Sequence, residues 1–314
     1  MSLCCCSTAA GRGFLLPGIL LRRRCLPRHP LLNLRSTRTV ASAAAAATSI
    51  SSLSPPQQRQ VAVYVEALLD WNQRMNLTAI TDEAEVMTRH VADSLAVLPP
   101  LERAYHARST TGGGGTDGVR LIDVGSGAGL PGLILAVARP SWRFTLLESM
   151  KKRCTFLEHA VEAMGLSNVD VVCDRAENVG QSLDYREAYD IAAARAVAEL
   201  KVLAEYCLPL VRVGGLFIAA KGHDPHEEIK NAKSAVQKLG ASTLELCSVE
   251  SMGPHGQRTA VIYFKERATP RKYPRLPGIS HVPSGEASCF GNFLIAEAET
   301  FHWLHPGTPS KMPL

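Results

Sequence analysis

The stretch Leu121-Ile122-Asp123-Val124-Gly125-Ser126-Gly127-Ala128-Gly129-Leu130-Pro131-Gly132 limits what this chain can fold into more than any other. Its first four residues read as a buried strand, which breaks into glycines at 125, 127 and 129 and resumes as a helix expected over 133–139. Glycine has no Cβ and accepts positive φ, so a strand that runs straight into glycines brings backbone close to a ligand. Pro131 suits a first helical turn, where its missing N–H costs nothing. The N–H groups of such a turn are expected to attract negative or electron-rich ligand atoms. A dinucleotide fingerprint would need G-x-G-x-x-G, but Leu130 holds the third glycine's place. Asp123, two residues before the first glycine, is also foreign to that fingerprint.

From 119 onward, strands and helices alternate. Strands are expected at 119–124, 143–147, 169–173, 189–194, 216–220, 243–249 and 259–265. Helices are expected at 133–139, 151–164 (closed by Gly165), 176–183, 197–208 and 225–239. This alternation implies an α/β fold with a doubly wound, largely parallel sheet, finished by an antiparallel edge. A helical cap, 55–108, precedes this core of 119–266, joined to it by a glycine-rich loop at 109–118. Within the cap, one helix starts behind Ser54 with Pro55-Pro56 in its first turn, and a second, 83–98, is expected to stop at Pro99-Pro100. His90 and Asp93, three apart on one face of that second helix, are expected to meet as a hydrogen-bonded pair.

The formal charge of +5 suggests a nucleic-acid binder until its distribution is examined. Residues 1–50 carry seven Arg and no Asp or Glu; without those seven the remainder stands at −2. Any basic surface is therefore local. The Arg-, Ser- and Ala-rich segment 1–54 reads as an organelle transit peptide, with a chloroplast as first destination and a mitochondrion as the alternative. Its apolar piece, 14–21, is short and holds Pro17 and Gly18, so no membrane span is expected. The nine cysteines form no C-x-x-C pair or His/Cys cluster, which gives no support to a metal site or disulfide framework.

In a sheet of this kind the ligand sits beyond the carboxyl ends of the strands. Asp123 ends the first, Glu148 ends the second, and Asp174-Arg175-Ala176-Glu177 follows the third. A carboxylate at 148 can accept hydrogen bonds from ribose hydroxyls, and the 174–177 segment would lie beside an adenine. Together with the glycine turn, these acids indicate an adenosine-containing ligand. Strand four ends in Ala194-Arg195-Ala196, with no N-P-P-Y segment and no Pro-Cys pair on the acceptor side.

The D-x-G-x-G-x-G pattern resembles motif I of S-adenosylmethionine (SAM)-dependent methyltransferases. Several blocks together resemble the RsmG (GidB) family of 16S ribosomal RNA guanine-N7 methyltransferases. They are Trp71-Asn72 with Asn76-Leu77-Thr78, Arg89-His90 with Asp93-Ser94, and Asp123 through Gly132. Leu146-Leu147-Glu148-Ser149 with Lys152-Arg153, Arg175-Ala176-Glu177, Arg195-Ala196 and Lys221-Gly222 continue the match. The resemblance implies a Rossmann-like class I methyltransferase fold with SAM as cofactor, small-subunit rRNA as partner, no metal and a monomer. It also implies that Gly125, Leu130, Ala176, Glu177 and Arg195 contact SAM. Asp123, Gly127, Gly129 and Glu148 complete the expected cofactor site. Guanine N7 offers an in-plane lone pair and has no proton to lose, so positioning is the main catalytic lever and no general base is expected. Arg195 and Lys221 are the candidates to orient the substrate, through guanine O6 or phosphate.

The basic tail, 267–314, looks like the family's, but 279–307 interrupts it as an atypical insertion, either genuine or a gene-model error. Arg267, Arg271, Lys272 and Arg275 with Tyr273 form a local cluster suited to RNA phosphates. Two rival readings remain at this point: a small-molecule methyltransferase on the same fold, and a SAM-binding ribosome assembly factor that transfers nothing.

Overall fold

The computed structural model describes residues 50–109, 118–195, 198–253 and 256–276. Residues 1–49, most of the glycine-rich loop and everything from 277 onward, the insertion included, lie outside them.

The cap opens with α1 (Pro55–Asn72), which buries Val61, Tyr64, Val65 and Leu68 along one stripe. Gln57 serves both ends of its entry. Its Oε1 accepts from the Ser54 N–H (2.8 Å) and hydroxyl (2.9 Å), and its Nε2 donates to the Val137 carbonyl (2.7 Å). At the other end Trp71 packs at a tilt against the rings of Phe156 and His159. Asn72 then folds the following loop on itself: its Oδ1 accepts from the N–H groups of Leu77 and Thr78, and its Nδ2 donates to the Thr78 carbonyl.

The second cap helix is not continuous. It divides into α2 (Glu83–Val86), a π-helical turn (Met87–Val91) and α3 (Ala92–Ala96). Pro99 and Pro100 do not stop a helix but start one, α4 (Leu98–Ser109), because the first turn needs no N–H from them.

The core follows as β1 (Arg120–Val124), α5 (Gly132–Ala138), β2 (Arg143–Glu148), α6 (Lys151–Met164), β3 (Val169–Cys173) and α7 (Ala176–Val179). Next come β4 (Tyr189–Ala194), α8 (Leu200–Cys207), β5 (Val211–Lys221), α9 (His226–Lys238), β6 (Ala241–Gly253) and β7 (Gly256–Lys265). The seven strands lie in the order β3-β2-β1-β4-β5-β7-β6. The first five are parallel, and β7 runs antiparallel to both β5 and β6. This is the expected Rossmann-like class I methyltransferase sheet with its antiparallel edge. Gly165 ends α6 at φ 64°, as its position indicated. The helix expected over 176–183 is the single turn α7, and β5 is longer than expected. β5 begins before Gly214-Gly215 because the pair forms a bulge rather than a turn; a Cβ on Gly215 would stand 2.5 Å from the Asp190 carbonyl oxygen.

The period of two along each strand sorts side chains between two apolar layers. Leu121 and Ile191 join the layer under α1, α5 and α6, whereas Ile122, Val124 and Ala192 join that under α8 and α9. Asp123 therefore points toward α5. Residues 267–276 do not trail away but dock across the α7–β4 link. Arg186 donates to the carbonyls of Gly180, Thr269, Pro270 and Tyr273, and Arg275 clasps both carboxylate oxygens of Glu205. Lys265, fully buried, donates to the Leu208 and Val211 carbonyls, and burial pulls its ammonium down to about 8.

Gln57→Ala removes the cap of α1 and its tie to α5 together. It is expected to cost about 1–2 kcal/mol of stability, read from urea unfolding.

Candidate cofactor and acceptor site

At the carboxyl end of β1 the backbone passes through Gly125, Gly127 and Gly129 at φ 74°, 59° and 84°. These left-handed values strain any residue with a Cβ. Gly129 also lacks space, since a Cβ there would meet Leu133 Cδ1 at 2.3 Å. The turn satisfies itself. Gly125 and Ser126 donate to the Leu147 carbonyl, Gly129 and Leu130 to that of Ser126, and Gly127 to Glu148 Oε2 at 2.9 Å. The expectation that its N–H groups are offered to a ligand therefore needs correction: of the residues from Gly125 to Gly132 that carry an N–H, Ala128 alone has no acceptor for it among the described residues. What the turn supplies is bare backbone, with open room beside Gly125 and Gly127.

Asp123 is fully buried beneath this turn. Its Oδ2 accepts from Gly132 N–H at 2.9 Å, while Oδ1 has no partner among the described residues. Burial pushes the carboxyl up to about 6, against the pull of Gly132, Ser126 and Arg195. The side chain expected to touch the cofactor thus holds the turn against α5 from below. Glu148 is placed differently. Its Oε2 takes the Gly127 N–H and its Oε1 the Met150 N–H at 2.9 Å, which fixes the carboxylate at the end of β2 with lone pairs to spare. At the end of β3, Arg175 (3.0 Å) and Tyr206 (3.4 Å) engage the Glu177 carboxylate. What Ala176 and Glu177 can present is the main chain that opens α7.

Arg195 follows β4 directly. Among the described residues no hydrogen bond or ion pair holds its guanidinium. Burial lowers its pKa, while Tyr64, Asp93 and Asp123 favour the charge and Arg258 opposes it. Lys221 is already committed, to Glu228 at 2.7 Å and the Ala198 carbonyl at 3.0 Å, so its charge belongs to the α9 contact rather than to a substrate.

His90 and Asp93 do not meet. The π-helical turn, Met87–Val91, replaces the regular α spacing on which that pairing depended. His90 Nε2 instead lies 2.7 Å from Thr78 Oγ1, and Nδ1 lies 3.2 Å from the Arg89 carbonyl. In the neutral imidazole, Nδ1–H donates to that carbonyl and Nε2 is left to accept from the Thr78 hydroxyl. Burial and Arg195 lower His90 to about 4. Asp93 pairs with Arg258. Arg258 and Tyr64, whose hydroxyl pins the turn through the Ala128 carbonyl at 2.8 Å, went unread in the sequence. A buried acid on the apolar face of α3 was the available sign that a distant cation was needed.

The tail's basic cluster is partly spent within the protein: Arg275 on Glu205, and Arg267 on the Gln237 carbonyl, which leaves Arg271 and Lys272 exposed. Among the described residues no group of three or more His, Cys, Asp or Glu side chains is placed to hold a metal. No described helix is long and apolar enough to cross a membrane.

Residues 57–258 match the family model GidB, rRNA small subunit methyltransferase G. The chain is 45% identical over 224 residues to ribosomal RNA small subunit methyltransferase G of Symbiobacterium thermophilum, covering 70% of this chain and 86% of the relative. It is 43% identical over 227 residues to the Bacillus cytotoxicus protein of the same name, covering 72% and 90%. Among solved structures, Aeropyrum pernix fibrillarin with natively bound S-adenosyl-L-methionine is similar at 16% identity and a TM-score of 0.39, over 51% of this chain and 75% of that one.

Two outcomes follow from the site's geometry. A Cβ at Gly132 would meet Leu146 Cδ2 at 2.4 Å and Asp123 Oδ2 at 2.7 Å. Gly132→Ala should therefore cost about 1–3 kcal/mol in urea unfolding and weaken cofactor binding. His90 has a folded pKa below its unfolded value, so the unfolded chain binds more protons between about 4 and 6.5 and stability falls as pH drops through that window. His90→Gln lacks this loss. Relative to wild type it should gain up to about 3 kcal/mol as pH falls from 6.5 to 4, read from paired denaturant melts.

Proposed function

The chain belongs to the GidB family, rRNA small subunit methyltransferase G, and is a SAM-dependent rRNA methyltransferase; from that premise we propose that it methylates N7 of a guanine in the small-subunit, 16S-type rRNA of an organelle, a chloroplast in the first instance. One observation carries the reading: the matched span, 57–258, runs from the cap of α1 to Arg258 and so includes every element of the site. The acid-free, Arg-rich leader supports the organelle, with a mitochondrion as the alternative.

The residues fit SAM on structural grounds. The glycine turn leaves a cradle that side chains would fill, the Glu148 carboxylate is fixed beside it, and the Arg195 guanidinium lacks a partner among the described residues. SAM supplies an activated methyl group on a sulfonium. Glu148 would hold the ribose hydroxyls, the main chain at Leu130, Ala176 and Glu177 would line the nucleoside, and Arg195 would meet an anionic or electron-rich group. The chain's own task is positioning, because N7 attacks through a lone pair and releases no proton. In keeping with this, the imidazole on which the Arg195 charge acts is no free base: His90 is neutral, and its Nε2 is engaged by Thr78.

The test is m7G in plastid 16S rRNA, read by borohydride/aniline cleavage with and without the gene. Cleavage should disappear in the knockout, return with the wild-type gene and stay absent with Glu148→Ala, whose SAM affinity should fall by roughly tenfold or more for a lost charged hydrogen bond. Loss in mitochondrial rRNA instead would move the compartment. Intact cleavage in both organelles would sink the proposal.

A further inference from the structure

The Arg89-His90 and Asp93-Ser94 block stands out in the sequence, yet neither a cofactor contact nor a proton transfer accounts for Asp93. Its side chain is 2% exposed and forms an ion pair with Arg258, a residue 165 positions away on another element. The sheet register puts this pair at the ligand end. Asp123 of β1 pairs with Ala193 of β4, Ala194 pairs with Ala219 of β5, and Lys221 of β5 pairs with Thr259 of β7. Arg195 and Arg258 thus leave the same edge of the sheet, from β4 and β7, and α3 brings Asp93 down onto them. The charges acting on Asp93 are those of Arg258, Arg195 and Arg89, while α5, packed against α3, carries no titratable side chain.

Two guanidiniums and one buried carboxylate can be arranged in two ways. Asp93 can take Arg258 and leave Arg195 to the ligand, or it can take Arg195 and close it off. The structure shows the first. We propose that Asp93 is a positioning residue: by neutralising Arg258 it keeps Arg195 open for SAM, so that the helical cap sets the charge balance of the cofactor site. This rests on the placement of Arg195 at the cofactor, given above. A buried pair that loses one partner leaves an uncompensated charge, and here either loss would reach Arg195. Without the Asp93 charge, Arg258 repels and displaces Arg195. Without Arg258, Asp93 turns to Arg195 and occupies it. Removing both restores neutrality.

The experiment is SAM binding to the full chain by titration calorimetry at pH 7.5, with circular dichroism to confirm folding. Asp93→Asn and Arg258→Gln should each weaken binding roughly tenfold, and the double variant should return to within roughly threefold of wild type, a coupling typical of residues in contact. A double variant as weak as the two losses multiplied, or an Asp93→Asn protein that binds like wild type, overturns the inference. Where Asp93→Asn does not fold, Arg258→Gln and the double variant decide alone: binding recovered by adding the second substitution supports the inference, and no recovery overturns it. Arg195→Ala, measured alongside, separates the two claims. Wild-type affinity there overturns the placement of Arg195 itself, whereas weakened binding there with an indifferent Asp93→Asn overturns only the role of Asp93.

Discussion

The hydrogen bond from Gly132 N–H to the buried carboxylate of Asp123 is the contact on which the rest of the site depends. It joins the end of β1 to the start of α5 across a turn whose three left-handed glycines would otherwise be free to take many shapes. A second carboxylate, Glu148, grips the same turn from the neighbouring strand through Gly127. The two acids do different work because of parity and depth. Asp123 faces inward toward α5 and is sealed, whereas Glu148 ends its strand and keeps acceptor capacity toward the ligand side.

Around this turn the cap and the sheet are tied by long-range polar contacts rather than by local ones. Tyr64 reaches Ala128, Gln57 reaches Val137, and Asp93 reaches Arg258. Each crosses between the cap and the core, so the cap is part of the cofactor site's frame. The tail is bound in the same manner, by Arg186 on four carbonyls and by the Arg275–Glu205 pair. Arginines here thus spend donor capacity on protein oxygens, and a count of basic residues overstates the donors left for RNA. Arg195 is the contrast. It sits among charges at the ligand end of the sheet, and no described residue takes its donors.

The alternation of strands and helices, the glycine turn, the acids at the strand ends and the antiparallel edge were all legible in the sequence, because each is written in a local pattern of apolar period or turn chemistry. Helix interruptions were not. The π-helical turn at Met87–Val91 contains no Gly or Pro to announce it, and Pro99-Pro100 reads equally as a stop or a start. Lys221 looked available because Glu228, its partner, lies one helix further along the chain.

By itself, then, the sequence determined the order of elements, the place where backbone must come bare, and the acids and arginine that surround it; those follow from residue type at short range. The tertiary structure decided which of those groups are spent. Asp123 went to Gly132, Lys221 to Glu228, Glu177 to Arg175 and Tyr206, and Asp93 to Arg258. A buried charge must find its partner wherever the fold brings one, and that distance in space is not encoded in distance along the chain.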